Sequence, residues 1–413
     1  MKKVYLDNNA NTPIPEYILN EMMKWYNIGN PGAATEEGKK SKMIIKRLKE
    51  LIARSCNFSL SEYNVILTSG ASESNATIIK SIVESWESKP HIITSSYEHK
   101  SVLYVVKDLV KLGMAEATYI DPDISGRITP ESVENNIKDN TCLITIMGAN
   151  NETGIVNDVR RIGLVAKKYK IPFHTDAVQL FSKYLVFPVL DNIDAFSISF
   201  HKVHGPIGVG ALIIKKQLIK SYSLCPLICG TQNEGLRGGT ENIVGIVGSY
   251  YGLLHNLKNR KEKNNYMGRL KQYLISELNK ICPLSYLDDY LYMKMVESDS
   301  DYNNYVYNES CIVVLSPRDY SLPNTLLVSF KMSEDLKELC NKKLRELLAA
   351  NNITVAIGSA CNTSNKKASH VLDAIKVPQE LKKGVLRISL GDENTIEEIK
   401  YFIMVIKKII FKK

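Results

Sequence analysis

A lysine between two histidines is the first feature of the sequence that could do chemistry. Residues 197–206 read S-I-S-F-H-K-V-H-G-P, and Lys202 lies between His201 and His204 where a short alternating strand meets a Gly-Pro pair. A lysine becomes a nucleophile near neutral pH when burial or neighbouring positive charge lowers its pKa. These surroundings predict a reactive Lys202, although a surface lysine at a strand end has the same local pattern.

The turn at residues 68–75, T-S-G-A-S-E-S-N, has the composition of an anion-binding helix start. It follows an apolar run, so the backbone N–H groups after Gly70 and the hydroxyl of Ser72 would face a ligand at the positive end of a helix. An ordinary helix capped by Ser72 has a similar sequence. The turn therefore predicts either a phosphate site or a plain helix cap.

Two more polar residues follow predicted strands. Asp176, in H-T-D-A-V-Q at 174–179, lies at the carboxyl end of a strand, where ligand crevices of parallel sheets open. Its carboxylate could pair with a protonated ring nitrogen of a cofactor, or it could cap the next helix. His99, in Y-E-H-K at 97–100, could stack on a ring and move protons, or it could be a partly buried polar residue.

Cys361 and Arg387 complete the set of candidate chemical groups. Cys361 lies in G-S-A-C-N-T-S, among small and polar residues, with Lys366 and Lys367 close behind. A reactive thiol needs exposure and nearby positive charge, whereas a structural cysteine packs among large apolar groups. Arg387, in V-L-R-I-S-L-G, could clamp a carboxylate through two hydrogen bonds, or it could be an arginine on an edge strand.

The 413-residue chain has an ordinary globular composition, with 44% hydrophobic and 23% charged residues and a formal charge of +9. No module with interleaved basic and aromatic residues predicts nucleic-acid binding. The sequence has no apolar signal segment and no apolar window long enough for a membrane span, so we expect no membrane association. Eight scattered cysteines favour a cytoplasmic protein with reduced thiols. Cys225 and Cys229 lack a second pair at zinc spacing, so we expect no metal site.

Alternating strands and helices between residues 63 and 256 must position these groups. Such alternation implies an α/β fold with a mainly parallel sheet covered on both faces, and the chain length predicts two domains. We expect a large domain at 15–256 and a smaller α+β domain at 1–14 and 257–413. In the smaller domain we expect a charged helix over 257–281, an exposed irregular insertion over 288–308 and a helix over 333–351. The predicted strands of the large domain are 65–67, 91–94, 117–120, 143–147, 173–175, 195–199 and 210–214.

The motifs together resemble the cysteine desulfurases of the NifS/IscS type, which are pyridoxal-phosphate enzymes of the class V aminotransferase group. The resemblance spans nearly the whole chain apart from about 288–308. It implies a transferase of fold type I, similar to aspartate aminotransferase. The motifs are Y-L-D-N-N-A-N-T-P at 5–13, G-N-P at 29–31, T-S-G-A-S-E-S-N, E-H-K, N-N-E-T-G at 150–154, H-T-D-A-V-Q, S-F-H-K-V-H-G-P, L-R-G-G-T-E-N at 236–242, G-S-A-C and R-I-S-L-G.

The resemblance also implies a role for each candidate residue. Lys202 would bind pyridoxal phosphate covalently and take the alpha proton of the substrate. His99 would stack on the cofactor ring and shuttle protons, and Cys361 would accept the sulfur. Asp176 would pair with the pyridine nitrogen of the cofactor, and Gln179 would bond its phenolic oxygen. Asn151 and Arg387 would bind the substrate carboxylate, and Asn151 would also contact the cofactor. The residues that would bind the phosphate are Ala71, Ser72, Ser199, His201 and Thr240 of the partner subunit.

The implied reaction converts L-cysteine to L-alanine and leaves a persulfide on Cys361. A sulfur-acceptor protein, either a scaffold or a sulfur carrier, would then take the sulfur for iron-sulfur cluster assembly or thiolation. The enzyme would be a homodimer. A selenocysteine lyase, another class V enzyme or a non-catalytic scaffold with the same fold would share most of these residues.

Three positions depart from the family pattern. Asn11 replaces a threonine, Thr35 replaces a histidine after G-N-P, and Glu234 replaces an arginine before the L-R-G-G-T segment. None of them is expected to touch the reacting atoms. We expect them to change local packing and the subunit interface near the cofactor.

Overall fold

The computed structural model describes residues 3–27, 29–297, 311–331, 340–357 and 369–410. The strands are β1 (Val4–Tyr5), β2 (Tyr63–Thr68), β3 (His91–Ser95), β4 (Glu116–Ile120), β5 (Thr141–Thr145), β6 (Phe173–Asp176), β7 (Ala195–Ser199), β8 (Gly210–Lys215), β9 (Leu284–Tyr286), β10 (Cys311–Val314), β11 (Thr325–Lys331), β12 (Ile353–Thr354) and β13 (Val385–Ser389). The helices are α1 (Glu16–Met23), α2 (Glu36–Ser55), α3 (Ala71–Glu84), α4 (Lys100–Lys111), α5 (Pro130–Glu134), α6 (Val159–Lys168), α7 (Val178–Lys183), α8 (Pro188–Asp191), α9 (Lys216–Ser221), α10 (Ile243–Leu257), α11 (Arg260–Asn279), α12 (Leu287–Glu297), α13 (Asn341–Ala350), α14 (His370–Ala374), α15 (Gln379–Lys382) and α16 (Ile396–Ile410).

Seven strands form the large sheet, in the order β2-β8-β7-β6-β5-β3-β4. Strand β8 runs antiparallel to β2 and β7, and the other neighbouring pairs are parallel. Successive side chains of a strand point to opposite faces. In β2, Val65 and Leu67 pack into one apolar cluster and Ile66 packs into another. The prediction of a mainly parallel sheet covered on both faces is confirmed.

Helices cover the two faces because each has an apolar side. In α4, Val102, Val106 and Leu109 are buried at helical spacing and join the cluster of Ile66. On the other face, Leu48 of α2 belongs to the cluster that contains Val65 and Leu67. The apolar periodicity of the helices therefore fixes which side of the sheet each helix covers.

The direction of the strands brings the polar motifs to one edge of the sheet. Strands β2, β3, β5, β6 and β7 all run the same way, because β8 is antiparallel to both of its neighbours. Five segments that leave or end these strands meet there, namely 69–72, 96–99, 146–151, Asp176 and 199–202. Ligand crevices of parallel sheets open at this carboxyl edge.

A second, smaller sheet has the order β13-β11-β10-β9, and β1 pairs with β12 beside it. The apolar cluster of this region draws on residues between Met267 and Ile410, and it also includes Val4 and Leu6. The N-terminal strand therefore shares a core with the C-terminal part of the chain. The division into 15–256 and 1–14 with 257–413 stays a prediction, which this shared core supports.

The prediction of an irregular insertion over 288–308 is wrong for residues 288–297. These residues belong to helix α12, and Tyr290 packs into a small apolar cluster with Val313 and Leu327. The sequence of α12 has little helical periodicity, so its packing partners stabilise the helix. Residues 298–308 lie outside the described residues.

Two predicted helices have different bounds in the structure. The helix expected over 257–281 begins at Arg260, because Asn259 adopts a left-handed backbone (φ 54°) that separates α11 from α10. The helix expected over 333–351 corresponds to α13, and residues 332–339 lie outside the described residues. None of the helices in the described ranges combines the length and the apolar character needed to cross a membrane.

Candidate active site

A cavity of about 450 Å³ opens at the carboxyl edge of the large sheet. Its lining includes every predicted site residue except Thr240, which is exposed, and Cys361, which falls outside the described residues. A larger open groove of about 1240 Å³ lies near the opposite edge and contains none of the predicted residues. The predicted residues in the lining are Ala71, Ser72, His99, Asn151, Asp176, Gln179, Ser199, His201, Lys202 and Arg387.

Lys202 lies in this cavity, at the end of a short 3₁₀ turn that follows β7. Its Nζ donates hydrogen bonds to the backbone oxygens of Asn9 (2.5 Å) and Ala10 (2.6 Å). Burial lowers the pKa of Lys202 to about 8, and Arg387 lowers it further, while Asp7 and Asp176 act in the opposite direction. Lys202 is therefore a partly buried amine in a cavity rather than a surface lysine.

The turn after β2 leaves the start of α3 open to the cavity. The N-cap of α3 is Gly70, which has no side chain to bond the first backbone N–H groups, so Ser72 is not the cap. Gly70 has a φ of 157°, a conformation that L-residues rarely adopt. A Cβ on Gly210, at the start of β8, would lie 2.6 Å from the Cα of Gly70. Both glycines are therefore needed for this close turn, which leaves the first N–H groups of α3 without a side-chain cap, and a phosphate site here stays a prediction.

Ser199 and His201 lie beside this turn in the cavity lining. The Ser199 hydroxyl is 2.8 Å from Nδ1 of His201. Burial lowers the pKa of His201 to about 4, and the charges of Lys202 and His99 lower it further. At neutral pH the imidazole is therefore uncharged, so it can bind an anion by a hydrogen bond but not as a cation.

Asp176 ends β6 with a buried carboxylate. Its Oδ2 accepts a hydrogen bond from Nδ2 of Asn75 (2.8 Å), and its Oδ1 accepts one from the backbone N–H of Val178 (3.0 Å). The second contact satisfies the first backbone N–H of α7, as the helix-cap alternative expects, and a role toward a cofactor stays a prediction. Asn75 was not singled out in the sequence, although it is the last residue of the T-S-G-A-S-E-S-N motif.

His99 is the N-cap of α4, and its ring faces the cavity. Its Nδ1 accepts a hydrogen bond from the backbone N–H of Ser101 (3.2 Å), so the neutral ring carries its proton on Nε2. Burial lowers the pKa of His99 most strongly. Asp176 opposes this effect, and the nearby cationic side chains, Lys202 first, lower the pKa further.

Arg387 crosses from the small sheet into the cavity. Its Nη2 donates to Oδ1 of Asp7 (2.7 Å), and its Nη1 donates to the backbone oxygen of Asn151 (3.1 Å). Its Nε is buried and has no hydrogen-bond partner among the described residues. β13 is an edge strand, as the alternative interpretation expects, but its arginine is only 9% exposed and is held in a fixed position.

Gln179 is fixed by the N-terminal segment, because its Nε2 donates to the backbone oxygen of Asn9 (3.1 Å). Asn9 itself donates to Oγ1 of Thr325 (2.8 Å) in the small sheet. The N-terminal motif thus supplies Asn9 and Ala10 to the cavity lining, and its Asp7 holds Arg387. These three residues have no predicted role, and their signal in the sequence lies only in the motif Y-L-D-N-N-A-N.

Glu98, directly before His99, is a fully buried carboxyl group that the sequence gives no reason to select. Its Oε1 accepts hydrogen bonds from the Ser95 hydroxyl (2.6 Å) and the Met147 N–H (2.7 Å). Its Oε2 has no partner among the described residues. Burial raises the pKa of Glu98 to about 8, with a further increase from Asp176, so the group is largely protonated at neutral pH.

The three departures from the family pattern lie away from the cavity lining. Thr35 caps α2, since its hydroxyl accepts from the Gly38 N–H (3.1 Å). Asn11 donates to the backbone oxygen of Thr12 (3.2 Å), and its Oδ1 has no partner in the described part of the chain. Glu234 accepts from Asn64 (3.2 Å). These contacts are local, and the expected effect on a subunit interface stays a prediction.

His204, which the motifs leave without a role, belongs to a cluster outside the cavity. Its Nε2 is 3.6 Å from Oδ1 of Asp392, and Nε2 of His255 is 3.7 Å from Oδ2 of Asp392. These three side chains could offer ligands to a metal ion. However, the ammonium group of Lys263 already lies 2.7 Å from Asp392 Oδ2. We therefore interpret the cluster as an ion-paired contact between distant parts of the chain.

Comparisons with known proteins agree with this geometry. The sequence model of the family Aminotransferase class-V matches residues 4–290. The Cysteine desulfurase IscS of Dictyoglomus turgidum is 35% identical over 416 residues, which cover 100% of this chain and 95% of the relative. The chain belongs to the cysteine desulfurase family of class-V aminotransferases. The resemblance that the motifs indicate is therefore confirmed.

Solved structures of the family have the same fold. A NifS-like protein is 32% identical, with a TM-score of 0.84 and full coverage of both chains. SspA, solved in complex with cysteine, is 33% identical, with a TM-score of 0.72 and coverage of 95% of this chain and 100% of the other. The expectation of fold type I is confirmed.

Proposed function

We propose that this chain is a cysteine desulfurase that uses pyridoxal 5′-phosphate to convert L-cysteine to L-alanine, with transfer of the sulfur to Cys361. The observation that carries the proposal is the amine of Lys202, which lies in the cavity with its pKa lowered to about 8. About a tenth of such an amine is unprotonated at pH 7, several hundred-fold more than for an ordinary lysine. It can therefore attack the aldehyde group of the cofactor.

The groups around Lys202 fit this cofactor in kind. The uncapped start of α3, with Ala71 and Ser72, suits its phosphate, and Ser199 and His201 add hydrogen-bonding groups beside it. The buried carboxylate of Asp176 suits a protonated pyridine nitrogen. The His99 ring would stack on the pyridine ring, and Gln179 would bond the phenolic oxygen.

The bound cofactor would supply an electron sink for the negative charge that develops at the alpha carbon of the substrate. Lys202 would accept the alpha proton at Nζ, where the carbonyl oxygens of Asn9 and Ala10 orient the amine. Asn75 and the N–H of Val178 would keep the carboxylate of Asp176 in place. These contacts orient both groups before the substrate binds.

Arg387 and Asn151 would bind the substrate carboxylate. Asp7 holds one side of the guanidinium group, so Arg387 does not have to be ordered when the substrate arrives. His99 would exchange protons with the substrate at Nε2, because Nδ1 is engaged by Ser101 and burial keeps the ring neutral.

Cys361 would take the sulfur as a thiolate. Its sulfur would attack the sulfur of the bound substrate, so that a new S–S bond forms and the C–S bond of the substrate breaks. The electron pair of the broken C–S bond would take up a proton, which His99 would deliver, and so form a C–H bond in the methyl group of L-alanine. The enzyme would keep the persulfide until an acceptor protein takes it.

We further infer a homodimer in which Thr240 of the partner subunit completes the phosphate site. One feature supports this inference: Thr240 is exposed and lies outside the cavity lining of its own chain. The seven cysteines in the described ranges are free thiols, which supports a reducing compartment such as the cytoplasm. The acceptor would be a scaffold or sulfur-carrier protein for iron-sulfur assembly or thiolation.

Purified protein tests the proposal. We expect a visible absorbance band from the bound cofactor that L-cysteine perturbs while L-alanine appears. Cys361→Ser should abolish sulfide release and keep the band, whereas release by this variant would contradict the assigned role of Cys361. Parallel assays with selenocysteine decide the remaining alternative, since turnover of selenocysteine without turnover of cysteine would indicate a selenocysteine lyase.

A further inference from the structure

Two residues that the sequence motifs leave without a role meet beside the phosphate turn, residues 69–72. Glu73 belongs to T-S-G-A-S-E-S-N, and Arg237 belongs to L-R-G-G-T-E-N, 164 positions later. Nε of Arg237 donates to Oε1 of Glu73 (2.9 Å), and its Nη2 donates to Oε2 (3.4 Å). Because two nitrogens of the guanidinium group face the two carboxylate oxygens, the relative orientation of these side chains is fixed.

Glu73 also holds the chain that enters the phosphate turn. Its Oε2 accepts a hydrogen bond from the backbone N–H of Ser69 (2.7 Å). Ser69 and Glu73 both belong to the cavity lining, together with Ala71 and Ser72. The carboxylate is therefore a structural part of the turn and also a part of the wall of the proposed phosphate site.

The charge of Glu73 is unfavourable for a phosphate site. Its side chain is only 10% exposed, and this burial raises the pKa of Glu73. Hydrogen bonds from Arg237 and Ser69 together lower the pKa more than burial raises it, so the carboxylate is ionised at neutral pH. A phosphate group is itself an anion, and like charges repel strongly where water is partly excluded. An ionised Glu73 would therefore weaken phosphate binding unless a cation compensated its charge.

We propose that Arg237 is a positioning residue for the phosphate site, because it holds Glu73 against the turn and compensates its negative charge. The proposal rests on the proposed function and deepens it. An arginine stays charged at neutral pH, and its planar group suits two-point contact with a carboxylate. Glu73 can then bond the Ser69 N–H without leaving a net negative charge beside the phosphate.

An ordinary ion pair at the start of a helix makes a different prediction. Glu73 lies in the first turn of α3, where the helix dipole favours an acidic residue. If the pair only stabilises α3 and the turn, removal of either partner should weaken cofactor binding or leave it unchanged. If Arg237 compensates a charge, loss of Arg237 and loss of the Glu73 charge should have opposite effects, and the two effects should cancel when combined.

Three variants of the full chain separate these interpretations. Arg237→Met removes the cation, Glu73→Gln removes the negative charge but keeps an oxygen for the Ser69 N–H, and the third variant combines both changes. Each apoenzyme is titrated with pyridoxal phosphate. We expect the Kd of Arg237→Met to be about fivefold higher than that of the wild type, the effect of one partly exposed ion pair. Glu73→Gln should have a Kd about fivefold lower, and the combined variant should lie within about twofold of the wild type.

Pyridoxal serves as the second probe, because it has the same aldehyde group but no phosphate. Its affinity should be the same in the wild type and in all three variants, whereas a general disturbance of the cavity would weaken it. Arg161→Met is the matched control, since Arg161 pairs with Glu131 (2.8 Å) outside the cavity lining. This control should leave the affinity for both probes unchanged.

A higher Kd for pyridoxal phosphate in all three variants, an unchanged Kd in Arg237→Met, or an equal change in pyridoxal affinity would overturn the proposal. If Arg237→Met does not fold, Glu73→Gln still decides, because only the charge argument predicts tighter binding in that variant, and a Kd equal to or above that of the wild type would contradict it. The failure of the proposed function is distinct, since the wild-type protein itself would then form no cofactor band with pyridoxal phosphate.

Discussion

The contact between Asn75 and Asp176 gives a sharp prediction about the cofactor site. Asn75→Ala removes a 2.8 Å hydrogen bond to a carboxylate, and both residues are buried, at 0% and 4% exposure. A hydrogen bond to a charged group contributes about 1.5–3 kcal/mol. If the bond orients Asp176 toward the cofactor, its loss should weaken cofactor affinity by roughly 10- to 100-fold.

The fold should tolerate this substitution. The Oδ1 atom of Asn75 is buried and has no partner in the described part of the chain, so removal of the amide also removes an unsatisfied acceptor. Titration of the apoenzyme with pyridoxal phosphate measures the affinity. Asn64→Ala is the control variant: among the described residues its side chain donates only to the exposed Glu234, outside the cavity lining, so the affinity should stay unchanged. Equal Kd values for Asn75→Ala and the wild type would refute the reasoning.

Three further predictions concern pH, the phosphate turn and a buried cation. Below its pKa of about 8 Lys202 is protonated, so the rate of covalent cofactor uptake by the apoenzyme should rise up to about pH 8 and then level off; a rise that continues to about pH 10 would contradict the lowered pKa. Gly70→Ala places a Cβ on backbone with a φ of 157°, which should cost about 1–3 kcal/mol and weaken cofactor binding. Gly268→Ala on α11 should leave binding unchanged, because its Cβ would make only an ordinary contact with the Cβ of Pro323 (3.9 Å). Thermal unfolding and cofactor titration compare the two glycine variants. Equal unfolding temperatures and equal cofactor affinities would contradict the role of Gly70 in the phosphate turn. Burial lowers the pKa of Lys183 to about 8, so the unfolded chain binds this proton more tightly and stability rises with pH from about 8 to about 10. Lys183→Met should therefore be more stable than the wild type at pH 7. Its free energy of unfolding, measured with urea, should rise less between pH 8 and pH 10. If that rise equals the rise in the wild type, Lys183 is not its source.

The sequence predicted the large sheet well because its strands are short apolar runs buried on both faces. The same runs located Asp176 and Lys202, since each residue lies where a run ends. Parallel strands place such ends at one edge, so the sequence also predicted that these residues meet. The structure brings them to one cavity.

Contacts between distant segments could not be predicted from local pattern. The carbonyl oxygens of Asn9 and Ala10 hold Lys202 from the N-terminal segment, about 190 residues earlier in the chain, and backbone oxygens carry no signal in a sequence. The ion pair of Asp7 and Arg387 joins opposite ends of the chain. The motifs contain these residues, but only the fold assigns their partners.

Helix α12 is the clearest structural miss, and its reason is tertiary packing. Its sequence is rich in Asp and Tyr and has little apolar periodicity, which favours an irregular segment. Tyr290 nevertheless reaches the cluster of Val313 and Leu327, and this contact selects the helix. Glu98 was missed for a related reason, because its burial, not its type, raises its pKa to about 8.

The most direct test of the central claim is a single turnover of the holoenzyme with one equivalent of L-cysteine. L-Alanine is quantified, and the peptide that carries Cys361 is analysed by mass spectrometry without reductant. We predict one alanine per active site and one added sulfur atom on Cys361, and neither product from Lys202→Ala. Alanine formed without added sulfur on Cys361, or an unchanged yield from Lys202→Ala, would contradict the proposed mechanism.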